Sequence, residues 1–454
     1  MFETYEIFVI AMLGSFIALI FTGFPIAWLL AGIAVIFAVG GILLNQYFDV
    51  DTYFLNNWRI FGIFVQRVYA QMSNWVLVAL PMFIFMGLML ERSGIAERLM
   101  TNFVKLFGRY PGGLAMGVIL IGILLAASTG IVGASVTLLA MLSMPVMLSQ
   151  HYSKAFASGV IASAGTLGIL IPPSVMLILM ADQLSLSVGD LFMGALIPGV
   201  LLGICYILYA LVAARVVPTL APAPKNLDPV DWSLVRDTLL AILPPVLLII
   251  AVLGSIFFGI ATPTEASGVG ALGAAILALV NRRLSMAVLR DVCIKTTLTT
   301  AFIFGIFLGA TAFAVVLRQL GGDEFIKDLL TAIPLSPGGI VLVILFVAFL
   351  AGFFLDWLEI SLILLPLVGP VVANELGFNL IWFVVLFAVT LQTSFLTPPV
   401  GFSLFYLKGV VPPEVKTQDI YRGVIPFVAI QMLVVGMVFY WDQLVLWLPR
   451  QMYG

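Results

Sequence analysis

Blocks of apolar residues, separated by a few polar positions at a time, dominate the chain. Eight of them read directly as spans: 7–22, 25–44, 74–90, 191–213, 238–260, 266–281, 296–317 and 424–447. About 20 apolar residues in a helix cross a hydrocarbon core about 30 Å thick, so each block predicts a transmembrane helix. Four further blocks come in pairs, 113–127 with 131–148 and 340–354 with 357–371, each pair joined by a few polar or glycine residues. Such pairs are either two full crossings or a re-entrant hairpin. Two last stretches, 157–186 and 380–409, are interrupted by Pro172-Pro173 and Pro398-Pro399. A diproline removes two backbone donors and disfavours helix in the residue before it, which predicts two half-helices around an unwound centre.

Composition turns this pattern into a class. Of 454 residues, 63% are apolar and 9% charged, against roughly 45–50% and 25% in a soluble domain. A water-facing surface cannot be covered with so few charges, so the reading is an all-α polytopic membrane protein with roughly ten to twelve crossings. The net charge of −2 includes no basic stripe, so no nucleic acid is expected as a partner. Cys205 and Cys293 lack CxxC spacing and His151 is the one other soft ligand, so no zinc or redox site is expected. Acidic Glu3 and Glu6 precede the first apolar run, unlike a basic signal-peptide start, and the first span is expected to be retained.

With both pairs read as hairpins, five of the 20 basic residues, Arg59, Arg67, Arg318, Lys327 and Arg450, fall on one side and fifteen on the other. The positive-inside rule makes the fifteen-residue side cytoplasmic and both termini periplasmic. Two crossings per pair give the same sidedness, so charge does not choose between the alternatives. A repeat does. At an offset of 226, Pro172-Pro173 falls on Pro398-Pro399, Ser135 on Ser361, and Ser128-Thr129-Gly130 on Phe354-Leu355-Asp356. Asp190 with Gly194 matches Asp419 with Gly423 three residues further in register. Each half then holds five crossings, an odd number, so the second half is inverted. Inverted repeats with discontinuous helices are transporter architecture.

The predicted organisation is scaffold helices and an interfacial arm in 1–73, then a third span, hairpin, broken helix and last span in 74–213, with a transport domain mainly at 113–190. A cytoplasmic linker, 214–237, leads to scaffold helices and arm in 238–295. The second hairpin, broken helix and last span follow in 296–447, with transport elements mainly at 340–410.

Irregular backbone survives at membrane depth only where protein or a wet cavity satisfies it. Four such places are predicted: the tips Ser128-Thr129-Gly130 and Asp356-Trp357-Leu358-Glu359, and the breaks 171–174 and 396–401. Half-helix N-termini favour an anion, while freed carbonyls suit Na⁺. The substrate-binding candidates are Ser128, Thr129, Gly130, Thr166, Ser174, Asp356, Trp357, Gln392, Thr393 and Thr397. The Na⁺ candidates are Ser128, Gly130, Ser135, Gly165, Pro172, Asp356, Glu359, Thr390, Thr393 and Pro398. Each hydroxyl competes with a packing role, bonding the carbonyl one turn back. Asp356 and Glu359 carry more weight, because ionisable groups at depth are costly; the alternative is an exposed loop between two crossings. Glu265 in Thr262-Pro263-Thr264-Glu265 reads as a helix cap. The sequence contains neither a GxxxxGK[ST] phosphate loop nor an HExxH pair, which argues against ATP hydrolysis and metalloprotease chemistry and for an ion gradient as driving force.

The motifs resemble the large membrane subunit of tripartite ATP-independent periplasmic (TRAP) transporters, the DctM-like permeases. The likeness rests on Leu80-Pro81-Met82-Phe83-Ile84-Phe85-Met86-Gly87 with Glu91-Arg92-Ser93-Gly94-Ile95-Ala96, and on Gly165-Thr166-Leu167-Gly168-Ile169-Leu170-Ile171-Pro172-Pro173-Ser174. Thr262-Pro263-Thr264-Glu265-Ala266, Thr397-Pro398-Pro399-Val400-Gly401 and Tyr421-Arg422-Gly423-Val424-Ile425-Pro426 complete it. The resemblance implies an elevator-type secondary transporter of the bacterial inner membrane, Na⁺ coupling without ATP, and an organic acid delivered by a periplasmic binding protein. It also implies a separate small four-helix membrane subunit. Many sialic-acid-type relatives carry a hydroxyl-rich second tip after a single Asp. The bulkier Asp356-Trp357-Leu358-Glu359 looks like the branch named for mannitol or chloroaromatic compounds, and favours a smaller carboxylate such as a 2-oxo or aromatic acid. The competing readings are a passive ion or solute channel, a proton-coupled carboxylate permease and an intramembrane enzyme; the last lacks any nucleophile, base or metal set.

Overall fold

A computed structural model describes residues 3–129, 132–223 and 231–453. Helices α1 (Thr4–Ile20) and α2 (Ile26–Phe48) pair first, followed by the short α3 (Ile60–Met72), α4 (Ala79–Arg92) and α5 (Ile95–Phe107). Next come a hairpin of α6 (Gly113–Thr129) and α7 (Val132–Ser149), a broken helix of α8 (Lys154–Thr166) and α9 (Val175–Gln183), and the long α10 (Val188–Val216). The second half repeats the order: α11 (Trp232–Phe257) and α12 (Pro263–Val280), α13 (Met286–Gln319), α14 (Gly322–Thr331), a hairpin of α15 (Pro337–Ala351) and α16 (Trp357–Asn374), a broken helix of α17 (Leu380–Leu396) and α18 (Phe402–Val410), and α19 (Thr417–Tyr440). α20 (Gln443–Tyr453) closes the chain. Among the described residues nine helices are long and apolar enough to cross a membrane.

Local chemistry sets these boundaries. Thr262 and Glu265 form a capping box around Pro263 at the start of α12. Ser187, Ser285 and Ser336 cap α10, α13 and α15 through their hydroxyls, and the Asn379 carbonyl accepts from Ile381 N at 2.8 Å at the head of α17. Each such side chain satisfies a backbone donor that lipid cannot. Both broken helices stop at the diprolines, and the Pro172–Pro173 and Pro398–Pro399 peptides are both cis.

The two halves interlock. α8 packs on α19 and α10 on α17, so each first half-helix lies against the last span of the other repeat. Glycine permits the approach: a Cβ on Gly423 would fall on the Ala155 carbonyl, and one on Gly194 would lie 3.0 Å from the Ile381 side chain. Gly194 and Gly423 are the pair matched in the sequence, and Ala155 and Ile381 stand 226 apart like the diprolines. α7 likewise runs beside α18 and α16 beside α9.

The hairpins turn back at the level of the breaks. Gly165, just before the first break, has space for no Cβ because the Val136 backbone of α7 lies 2.9 Å from where it would sit. Gly352, at the end of α15, abuts Ser394 just before the second break. Since α7 and α16 run antiparallel to α8 and α17, each tip reaches only the middle of its neighbouring broken helix. That is a re-entrant hairpin.

The ion pairs keep within the two sets into which the basic residues divide. Arg92–Asp291 (2.7 Å), Lys154–Glu414 (3.7 Å) and Arg283–Glu97 (3.4 Å) pair on the fifteen-residue face. Arg318–Asp323 (3.4 Å) and Lys327–Glu375 (2.6 Å) pair on the other. The Glu375 carboxylate bonded to Lys327 holds its ammonium above the usual range.

Several boundaries differ from the sequence reading. The arm expected at the end of 238–295 and the span 296–317 form one helix, α13, because nothing between Met286 and Gln319 breaks it and Arg92 and Lys295 (3.3 Å) both anchor Asp291 on its flank. The expected span 424–447 is displaced: α19 begins where the Asp419 carboxylate accepts from Lys416 N at 3.0 Å and ends at Tyr440. The chain then turns at Trp441-Asp442 into α20, whose Val445 packs against Gly194. α5 and α14 are amphipathic helices in stretches to which hydropathy assigned no span. In α5, Ile95, Leu99, Met100 and Phe103 are buried while Glu97 and Arg98 face outward, a spacing that follows helical period.

Candidate functional site

At the first break the backbone ladder stops where Leu167 O accepts from Leu170 N (3.1 Å) and Ile171 N (3.0 Å), and resumes where Ser174 O accepts from Ile178 N (3.2 Å). At the second it stops where Ser394 O accepts from Thr397 N (3.1 Å) and resumes where Gly401 O accepts from Leu404 N (2.9 Å). The carbonyls between lie outside both ladders, and side chains take up three of them, Ile169 O, Phe395 O and Pro399 O. A serine ties each break: Ser174 Oγ donates to Ile169 O at 2.6 Å and Ser403 Oγ to Phe395 O at 2.7 Å. The two acceptors, Ile169 and Phe395, are again 226 apart. Tyr421 OH donates to Pro399 O at 2.5 Å, tying α19 to the second break.

Most candidate hydroxyls bond back into their own helix. Thr166 donates to Ser163 O (2.8 Å), Thr390 to Leu386 O (2.9 Å), Thr393 to Val389 O (2.8 Å) and Thr397 to Thr393 O (2.7 Å). Each keeps acceptor capacity, and at Thr166 that capacity takes a side-chain hydrogen bond joining the two broken helices. Gln392 Nε2 donates to Thr166 Oγ1 at 3.4 Å, both residues being fully buried. Gln392 Oε1 is buried with no partner.

At the second tip Asp356 caps α16, its Oδ1 accepting from Trp357 N at 2.8 Å. Trp357 is buried beside it, and Glu359, one turn on, is 3% exposed with Oε2 buried and unpartnered. An exposed loop between crossings does not describe Glu359. Ser135 is buried in α7, near the first tip. Gly130 lies outside the described residues, and so do the side chains of Ser128 and Thr129. Gly165, Pro172 and Pro398 contribute backbone at the breaks.

Tyr406 on α18 is a residue the sequence reading missed. Its ring lies 2.8 Å from where a Cβ on Gly133 would sit, against the start of α7, and it is within electrostatic reach of Asp356 and Glu359. Its position after the second diproline was the available signal. Towards the five-residue face, a cavity of about 260 Å³ opens between α3, α13, α9 and α16, with Arg67, Asn74, Asp182 and Thr311 in its wall. Asn74 Nδ2 donates to Asp182 Oδ1 across it, and Gln71 to Thr311.

Two inverted repeats, each bringing a re-entrant hairpin to a broken helix at a buried polar centre, define a secondary transporter rather than an enzyme. Comparison with known proteins agrees. The family described as "Tripartite ATP-independent periplasmic transporter, DctM component" matches residues 13–444. The C4-dicarboxylate TRAP transporter large permease protein DctM of Pseudomonas aeruginosa is 31% identical over 85% of this chain and 88% of its own. The 2,3-diketo-L-gulonate TRAP transporter large permease protein YiaN of Escherichia coli is 30% identical over 96% and 98%. The crystal structure of the Alcanivorax borkumensis YdaH transporter shares the fold, with a TM-score of 0.60 over 85% of this chain and 87% of that one at 13% identity. This chain belongs to the DctM family: it is the large permease component of a tripartite transporter, a multi-pass protein of the bacterial inner membrane.

Proposed function

We propose that this permease takes up a small organic acid together with Na⁺, the acid being presented by a periplasmic binding protein and a small four-helix subunit bracing the permease. The observation that carries the reading is a pair of buried, unpartnered acceptors, Glu359 Oε2 beside the second tip and Gln392 Oε1 before the second break. Leaving a buried acceptor unsatisfied costs about 1–3 kcal/mol, and more for a charge. A cation supplies the missing partner, with carbonyls at the breaks adding neutral ligands. The residues fit Na⁺: Asp356 and Glu359 offer carboxylates, Thr390 and Thr393 hydroxyl oxygens, and Pro172 and Pro398 carbonyls. The half-helices α9 and α18 start at Val175 and Phe402, each just after its break, and their positive dipole ends suit a carboxylate substrate. The named relatives carry organic acids, and the bulk of Trp357 favours a smaller one.

Alternating access follows if the hairpins and broken helices, 113–190 and 340–410, slide as a body against α1–α3 and α11–α13. The cavity beside Asn74 and Asp182 lies along that boundary. Both termini are assigned to the periplasm. A proton-coupled reading is favoured by one observation, the lone unpartnered Glu359 oxygen, which a proton would also satisfy. Uptake into proteoliposomes holding the permease, its small subunit and its binding protein separates these. An inward Na⁺ gradient should drive accumulation at symmetric pH; accumulation driven by a pH gradient in choline would replace Na⁺ with H⁺, and uptake sustained by ATP alone would remove both.

A further inference from the structure

A cavity of about 600 Å³ opens on the fifteen-residue face, away from the transport site, where the turn between α4 and α5 meets α11 and α12. One wall is polar: Arg98, Thr101, Asn281 and Arg283. The other is apolar and faces the surrounding hydrocarbon, with Leu240 55% and Val280 72% exposed. Arg283 is held in place. Its guanidinium pairs with Glu97 at 3.4 Å, and its Nε lies 3.1 Å from where a Cβ on Gly94 would sit, a glycine with φ +73°. Among the described residues no ion pair is recorded for Arg98. The cleft therefore carries two guanidinium groups against one carboxylate, directly above an apolar groove open to the membrane.

We propose that this cleft binds one anionic phospholipid, with the phosphodiester on Arg98 and Arg283 and an acyl chain along Leu240 and Val280. A basic pocket between membrane helices at the cytoplasmic surface is suited to anionic headgroups, and guanidinium donors match phosphate oxygens in pairs. A soluble anion would use only the polar wall, whereas the lipid fills both. The bound lipid ties α5, which leads into the first hairpin, to α11 and α12.

The test uses the full chain purified in mild detergent, exchanged into nanodiscs of phosphatidylcholine with or without phosphatidylglycerol, and read by native mass spectrometry. The wild type should keep one phosphatidylglycerol selectively. Arg98→Gln should lower its retention about tenfold, the loss expected when one charge-assisted hydrogen bond goes. Arg422→Gln, which removes a charge elsewhere on the same face, should not. Arg98→Lys should fall between. If Arg98→Gln does not fold, competition on the wild type decides: millimolar inorganic phosphate should leave the lipid bound. Displacement by phosphate, equal retention of phosphatidylcholine, or equal losses in Arg98→Gln and Arg422→Gln would each overturn the proposal.

Discussion

Gln392 of α17 donates to Thr166 of α8, and the two residues are separated by 226 positions, the spacing of the two diprolines. Residues equivalent in a two-fold repeat can touch only where the axis passes between them. This hydrogen bond therefore marks the centre of the inverted pair, and the unpartnered Gln392 Oε1 beside it is a natural position for a ligand on that axis. Gln392→Ala should cut uptake by tenfold or more and raise the Na⁺ concentration for half-maximal rate, with membrane insertion unchanged. Thr166→Val, which removes only the acceptor, should cost less. Equal Na⁺ dependence in Gln392→Ala and wild type would place the ligand elsewhere.

Asp356→Ala should abolish or strongly reduce uptake while leaving the permease assembled. The carboxylate caps α16 through Trp357 N, a contribution of about 1 kcal/mol that a large protein tolerates. Asp356→Ser, which keeps a capping oxygen without the charge, separates the two roles. Uptake restored by serine would show that capping, not charge, is what transport needs.

The crossing of α8 and α19 rests on Gly423 and Gly159, where an added Cβ meets backbone of the opposing helix. Backbone cannot be repacked as a side chain can, so Gly423→Ala should destabilise by about 1–3 kcal/mol. Gly436 on the same helix has nothing within 4 Å of its Cβ position, and Gly436→Ala should be silent. Thermal unfolding of the two variants in detergent measures the difference, and equal midpoints would mean the helices separate readily.

Ser174 and Ser403 tie the breaks through Ile169 O and Phe395 O. Alanine at either should lower stability by about 1 kcal/mol. The two effects should add, because the sites share no partner. Additivity in a double mutant, followed by thermal unfolding, checks this.

Much of this arrangement was legible because diprolines, matched glycines and segregated charges are written in single residues. A diproline alone does not end a membrane helix, since Pro244-Pro245 lies inside the continuous α11; Pro172-Pro173 and Pro398-Pro399 were informative because they recur in register, as Gly194 and Gly423 do where helices pack closely. Helix ends were harder. α19 starts where Asp419 accepts from Lys416 N rather than where hydropathy rises, and α5 and α14 hid behind charges that lie on one face only. The site was legible as places rather than atoms. Pattern cannot tell a hydroxyl that bonds its own helix, as at Thr393, from an amide left open, as at Gln392, because that depends on what the opposing helix presents.

The central claim, that two oppositely oriented halves share a cation site beside Glu359 and Gln392, is tested most directly by Na⁺-dependent thermal stabilisation of the purified permease. A ligand that binds only the folded state raises stability with the logarithm of its concentration above Kd. The unfolding midpoint should rise with NaCl against choline chloride at constant ionic strength, and that rise should vanish in Glu359→Gln. An equal rise in both proteins, or none in the wild type, would contradict the account.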